Sequence, residues 1–181
     1  MKYLILCFFT SFTPFAFAAD SQYKGQQHRN IKALSPQEID SLKKGKGMGF
    51  AKAAELNHFP GPLHVLEVAK QLNLKPKQLE ATKNLFSKMN QKAKTLGEEL
   101  ISHELELETH FRKNLINQNN LKSILDKIAK TKASLRFVHL NAHIKMKEIL
   151  SAKQVRKYDH LRGYEGNRNG RSEHGHSRHR H

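Results

Sequence analysis

The residues in this chain best suited to chemistry are its histidines, twelve of them in 181 residues. His139 and His143 stand four apart, with Met146 three further on. On a helix that spacing puts all three on one face. Two imidazoles and a thioether form a donor set for a transition metal such as Zn, Ni or Cu. Two histidines from one helix leave such a site incomplete, so it would draw on His58, His64 or a partner chain. The other reading, and the favoured one, makes this turn the flank of a helix-packing surface. Antiparallel pairing would set it opposite Lys88, Lys92 and Lys94, which repel a cation. A second group, His174, His176, His179 and His181, falls within the last eight residues. Histidine-rich tracts bind metals loosely, although Arg171, Arg178 and Arg180 beside them oppose cations. The alternative for residues 163–181 is a disordered, solubilising tail.

No enzymatic constellation accompanies these histidines. The single cysteine, Cys7, lies near the N-terminus, and there is no tryptophan. HExxH and a nucleophile elbow are missing, and Gly45, Gly47 and Gly49 follow no strand, which argues against a phosphate loop. The expectation is a binding protein that is not an enzyme and requires no cofactor.

The elements that must position these side chains are two long helices. From Pro76 to Lys113 apolar residues recur at heptad spacing. Leu79, Phe86, Ala93, Leu100 and Leu107 form one column, and Thr82, Met89, Leu96, His103 and His110 the next. Such columns make one stripe along a helix, here about 55 Å long at 1.5 Å per residue. Leu121, Ile128, Leu135, Ala142 and Ile149 repeat the pattern, flanked by Ile124, Leu125, Val138 and Met146. Asn117 to Asn120 link the two arms. Asparagine can adopt the left-handed conformation that ends a helix, and Asn120 can cap the next. So short a link makes the arms antiparallel. It lays Glu98, Glu99, Glu104, Glu106 and Glu108 beside Lys127, Lys130 and Lys132. His103 and His110 then read as polar seam residues.

Residues 1–18 read as a secretory signal peptide: Lys2, an apolar run from Leu4 to Phe17, then Ala16-Phe17-Ala18 as a cleavage site. The run is too short to span a bilayer, so the expected mature protein starts at Ala19, spans no membrane and contains no cysteine. The 32 Lys and Arg against 16 Asp and Glu give a net charge of +16, and +15 once Lys2 is removed. Basic chains commonly bind nucleic acid, but export argues against that partner. Unfolded or acidic polypeptides, anionic membrane surfaces and cell-wall polymers remain.

Residues 19–33 are polar, aperiodic and expected to be flexible. Three short helices should follow. The first runs from Pro36 to about Lys44, behind a capping box of Ser35 and Glu38 and a staple of Leu34 and Ile39. The others cover Met48 to Leu56 and Pro62 to about Leu72. A last short helix follows Ser151 and ends near Gly163.

Two entry signals bracket the hairpin: Leu74-Lys75-Pro76-Lys77-Gln78 and Leu150-Ser151-Ala152-Lys153-Gln154. Each has a leading leucine and a glutamine at the third helical position, and Ser151 with Gln154 makes a full capping box. In the first copy Lys75 replaces the hydroxyl residue. These two motifs resemble the LTxxQ signature of the periplasmic Spy/CpxP family, keeping its Leu and Gln. GMGFAKAAELNHFPGPLHVLE and RFVHLNAHIKMKEILSAKQ are similar to segments of one branch of that family. The resemblance covers about Leu34 to Tyr164 and implies an all-α domain over residues 34–162. Its fold would be a long antiparallel hairpin with short flanking helices, paired into a curved homodimer. It implies a periplasmic, ATP-independent chaperone for unfolded polypeptides, or a heavy-metal resistance or sensor protein with Zn, Ni or Cu. An envelope-stress sensor protein is a further implied partner. The expected client contacts are Phe86, Met89, Leu96, Leu100 and Leu135, apolar residues rimmed by lysines.

Overall fold

A computed structural model describes residues 21–164. The signal-peptide reading of residues 1–18 and the four tail histidines lie outside the described residues. Six helices follow in order: α1 Pro36–Lys43, α2 Lys52–Glu55, α3 Pro62–Glu67, α4 Pro76–Arg112, α5 Gln118–Ile149 and α6 Ala152–Arg162. The described residues contain no strand. Helices α4 and α5 form the expected hairpin, and the fold class is all-α.

The stripe that periodicity predicts is the one that is buried. Ala93 and Leu100 of α4 pack against Ile124, Ile128 and Leu135 of α5. Register is fixed by charge as well, through Lys127 to Glu106 at 3.1 Å and Lys132 to the buried Glu104 at 2.9 Å. Lys130 is exposed and makes no such pair among the described residues. Two corrections concern the turn. Asn114, with φ 55°, takes the left-handed conformation after α4, before the expected asparagine run. Asn117 is the N-cap of α5, its side chain accepting from the Asn119 and Asn120 amides, and Asn120 closes the capping box from the third position.

The chain covers its own hairpin. Residues 21–33, expected to be flexible, form hydrogen-bonded turns, and Ile31 is 3% exposed. Ile31, Leu34 and Leu42 join the hairpin core, and Glu108 accepts both the amide and the ammonium of Lys32. Those hydrogen bonds, chiefly the one from the Lys32 ammonium, hold the Glu108 carboxyl below its usual range. The apolar face of the hairpin is therefore partly filled from within the chain.

Two flanking helices are shorter than their patterns suggest. Turns replace the expected helix over residues 48–51, because Met48 and Gly49 both have positive φ. Helix α3 stops at Glu67, and turns carry the chain to Asn73 at φ 51°. At the open end of the hairpin the two motif glutamines meet. Gln78 Nε2 donates to Gln154 Oε1 at 3.0 Å, and Gln154 Nε2 donates to Gln78 Oε1 at 3.1 Å. Each oxygen also takes the cap amide of its own helix, from Lys75 or Ser151. The two helix starts are thereby joined above a second core of Val65, Leu72, Met146 and Tyr158.

Candidate functional site

Two of the concave regions beside the hairpin contain the side chains singled out in the sequence. The first is a groove of about 720 Å³ lined by α4 and α5 alone. Leu85, Met89 and Leu96 come from α4, and Phe137, Val138 and Ala142 from α5. Lys88, Lys92 and Lys145 stand among them, and none makes an ion pair among the described residues. Phe137 is 65% exposed. What sets it apart from a lone exposed side chain is that it adjoins the other apolar residues of the groove. The groove thus offers an apolar floor with unpaired cations around it. That arrangement can hold an apolar segment that carries acidic residues.

Of the expected client contacts, Met89 and Leu96 line this groove. Phe86 is half-buried and faces the second region instead. Leu100 and Leu135 require a correction: they are 2% and 1% exposed, inside the core between the arms. The heptad column that made them conspicuous is the packing stripe itself. Phe137 was missed for the complementary reason, since it falls off both core columns. With Lys130 and Ile144 it forms an outward column, and an aromatic residue there was the available signal.

The second region is a cavity of about 650 Å³ between the glycine-rich loop at residues 44–49, α2, the start of α3 and the hairpin. His64, His139 and His143 line it, with Glu55, Phe86 and Met89. His139 is 5% exposed, and Phe50 stacks on it at 6.0 Å between ring centres. His143 Nδ1 lies 2.8 Å from the Phe59 carbonyl oxygen, so that nitrogen carries the proton and donates. Close fit is made possible by Gly61, where a Cβ would sit 2.8 Å from His143 Cε1. The lysines expected opposite His139 and His143 are not there: Lys88 and Lys92 lie in the groove, and Phe50, the Phe59 carbonyl and Gly61 pack against the two imidazoles instead.

The other expected ligands are otherwise engaged. His58 Nδ1 pairs with Asp159 at 2.9 Å, and His64 Nδ1 with Glu67 at 2.9 Å. Among the described residues no three His, Cys, Asp or Glu side chains stand together as metal ligands. Met146 is fully buried in the second core. His103 lies near Glu99 and Glu106, and His110 Nδ1 meets the Glu106 carbonyl, all contacts within α4.

Sequence reasoning did not find Glu55, the centre of the polar packing here. Its Oε1 accepts the Tyr158 hydroxyl and, at 3.2 Å, the Tyr164 hydroxyl, with Arg162 Nε at 3.7 Å. Burial, then the hydrogen bond to Glu55 and its charge, pushes the Tyr158 hydroxyl far above its ordinary value, so it stays protonated and donates. One carboxylate therefore ties the four-residue α2 to α6, a role that no local pattern announces.

His139 gives this region a pH signature. Burial first, then the neighbouring His143, lowers its pKa from the ordinary 6.5. The unfolded chain binds more protons there than the folded one, so stability rises with pH across that window. The contribution is complete above about 6.5 and is lost as pH falls through the depressed folded value. Urea midpoints measured from about pH 7.5 to about pH 5.5 should fall more steeply for the wild type than for His139→Asn. Parallel profiles would contradict a neutral, buried His139.

Comparison of the chain with protein-family models, curated proteins and solved structures finds no significant match to any of them.

Proposed function

We propose that this protein is a periplasmic, ATP-independent chaperone that holds unfolded polypeptides during envelope stress. The observation that carries this reading is the lysine-rimmed groove with Phe137 on its wall. Such a surface attracts acidic chains by charge and retains them by apolar contact, without a pocket shaped for one ligand. The LTxxQ-like motifs and the export signal read in the sequence support it, and the pairing of Gln78 with Gln154 gives those motifs a structural use. As the resemblance implies, the proposal includes a homodimer and an envelope-stress sensor as a further partner. Metal binding is the lesser reading, since only the His139 and His143 pair supports it among the described residues.

The test is suppression of aggregation of an acidic, chemically unfolded client in the absence of nucleotide. Wild-type protein should protect, and protection should weaken as salt rises, because charges on the rim are screened over about 8–10 Å near physiological ionic strength. Phe137→Ser should reduce protection at every salt concentration. Equal protection by wild type and Phe137→Ser would remove the groove from the account.

A further inference from the structure

The hairpin ends in a tip with its own chemistry. Phe111 is 53% exposed and Leu115 59% exposed, where α4 turns into α5. They do not hang from a loose loop. Asn114 N–H donates to the Phe111 carbonyl at 3.1 Å, and Leu115 N–H to the His110 carbonyl at 2.9 Å. Asn120 Nδ2 then donates to the Leu115 carbonyl at 2.8 Å. The turn is thus held in one shape with both apolar side chains turned to water, an arrangement that burial alone does not explain.

Arg112 and Lys113 sit between these two residues, and neither makes an ion pair among the described residues. Lys122 lies across the turn and pairs with Asp126 at 2.7 Å. From residue 108 to residue 126 the chain carries Arg112, Lys113 and Lys122 against Glu108 and Asp126, and Glu108, on which the Arg112 charge acts, is itself paired with Lys32. An aromatic and an aliphatic side chain bracketing unpaired cations match a membrane interface. The apolar pair enters the acyl boundary, and the cations meet anionic headgroups. A protein partner suits this tip poorly, because two side chains on a protruding end present little of the area that a stable protein interface buries. A bilayer closes around a protruding tip. No helix among the described residues is long and apolar enough to cross a membrane, so the mode is surface attachment.

We propose that the hairpin tip docks the protein reversibly onto an anionic lipid surface, with Phe111 and Leu115 inserted and Arg112 and Lys113 against phosphate headgroups. The proposal is independent of the client groove. It is tested on the mature full-length protein by co-sedimentation with vesicles of phosphatidylcholine, with and without about one third phosphatidylglycerol. Anionic vesicles should bind and neutral ones should not. Phe111→Ser with Leu115→Ser should weaken binding at least about tenfold, the scale of removing two partly inserted apolar side chains. Arg112→Gln with Lys113→Gln should weaken it by a similar factor, about fivefold per lost cation. All four changes are at exposed sites, and matching circular dichroism spectra would show an intact fold. Three results would overturn the proposal. Binding untouched by the serine pair would reveal general attraction of a basic chain. No binding by wild type, or dimer dissociation on making the serine pair without any vesicle effect, would assign the tip to another partner.

Discussion

Leu135→Ala should destabilise the protein by about 2–5 kcal/mol, the usual cost of truncating a buried leucine, while Phe137→Ala two residues away should barely alter stability. Leu135 is 1% exposed and shares a core with Leu100 and Ile128, so its loss leaves a cavity that a tightly packed hairpin cannot close. Phe137 is 65% exposed and has little burial to lose. Function should invert that order. With Phe137→Ala the groove loses its aromatic wall and client protection falls. Leu135→Ala, kept below its unfolding temperature, should still protect. Urea midpoints and an aggregation assay on the same two variants separate the roles. A stable, inactive Leu135→Ala protein would contradict the assignment of Leu135 to the core.

Gly97→Ala carries the second largest expected effect, and its sign is the informative part. In an exposed helix interior, alanine is better than glycine by about 1 kcal/mol. Here a Cβ would fall 2.4 Å from the Leu42 carbonyl oxygen and 2.9 Å from its carbon. Both are backbone atoms at the end of α1 and cannot swing aside as a side-chain tip would. α1 must withdraw, and Leu42, 2% exposed, loses its place in the core. Withdrawal of one leucine costs about 1.5–3 kcal/mol, more than the propensity gain, so the variant should be less stable by about 0.5–2 kcal/mol. A more stable Gly97→Ala protein would show that α1 does not pack on α4 at this point.

Periodicity made the hairpin legible, because a buried helical stripe must repeat every three or four residues whatever its partner is. Capping chemistry was legible for the same local reason at Ser35 and Ser151. What escaped depended on residues far apart in the chain. Nothing near Ile31 announces that it reaches the hairpin core, and nothing near Glu55 announces Tyr158, Tyr164 and Arg162. The helix expected from Met48 begins only at Lys52, because Met48 as well as Gly49 takes a positive φ, which the helical pattern does not announce. The groove was half legible. Met89 and Leu96 were found because they are apolar and regular, and Leu100 and Leu135 were misplaced on the same grounds. A core column and a client surface look alike until something is seen to cover one of them.

The central claim is that unfolded polypeptide is held in the groove between α4 and α5, and site-specific photo-crosslinking tests it most directly. A photoreactive phenylalanine analogue replaces Phe137 in one sample and exposed Leu56, outside that groove, in another. Each is irradiated with an acidic, unfolded client at low salt. Crosslinks from position 137 that disappear when the client is allowed to fold first are the predicted result. Equal crosslinking from both positions, or none from position 137 while wild-type protein protects the client, would contradict the claim.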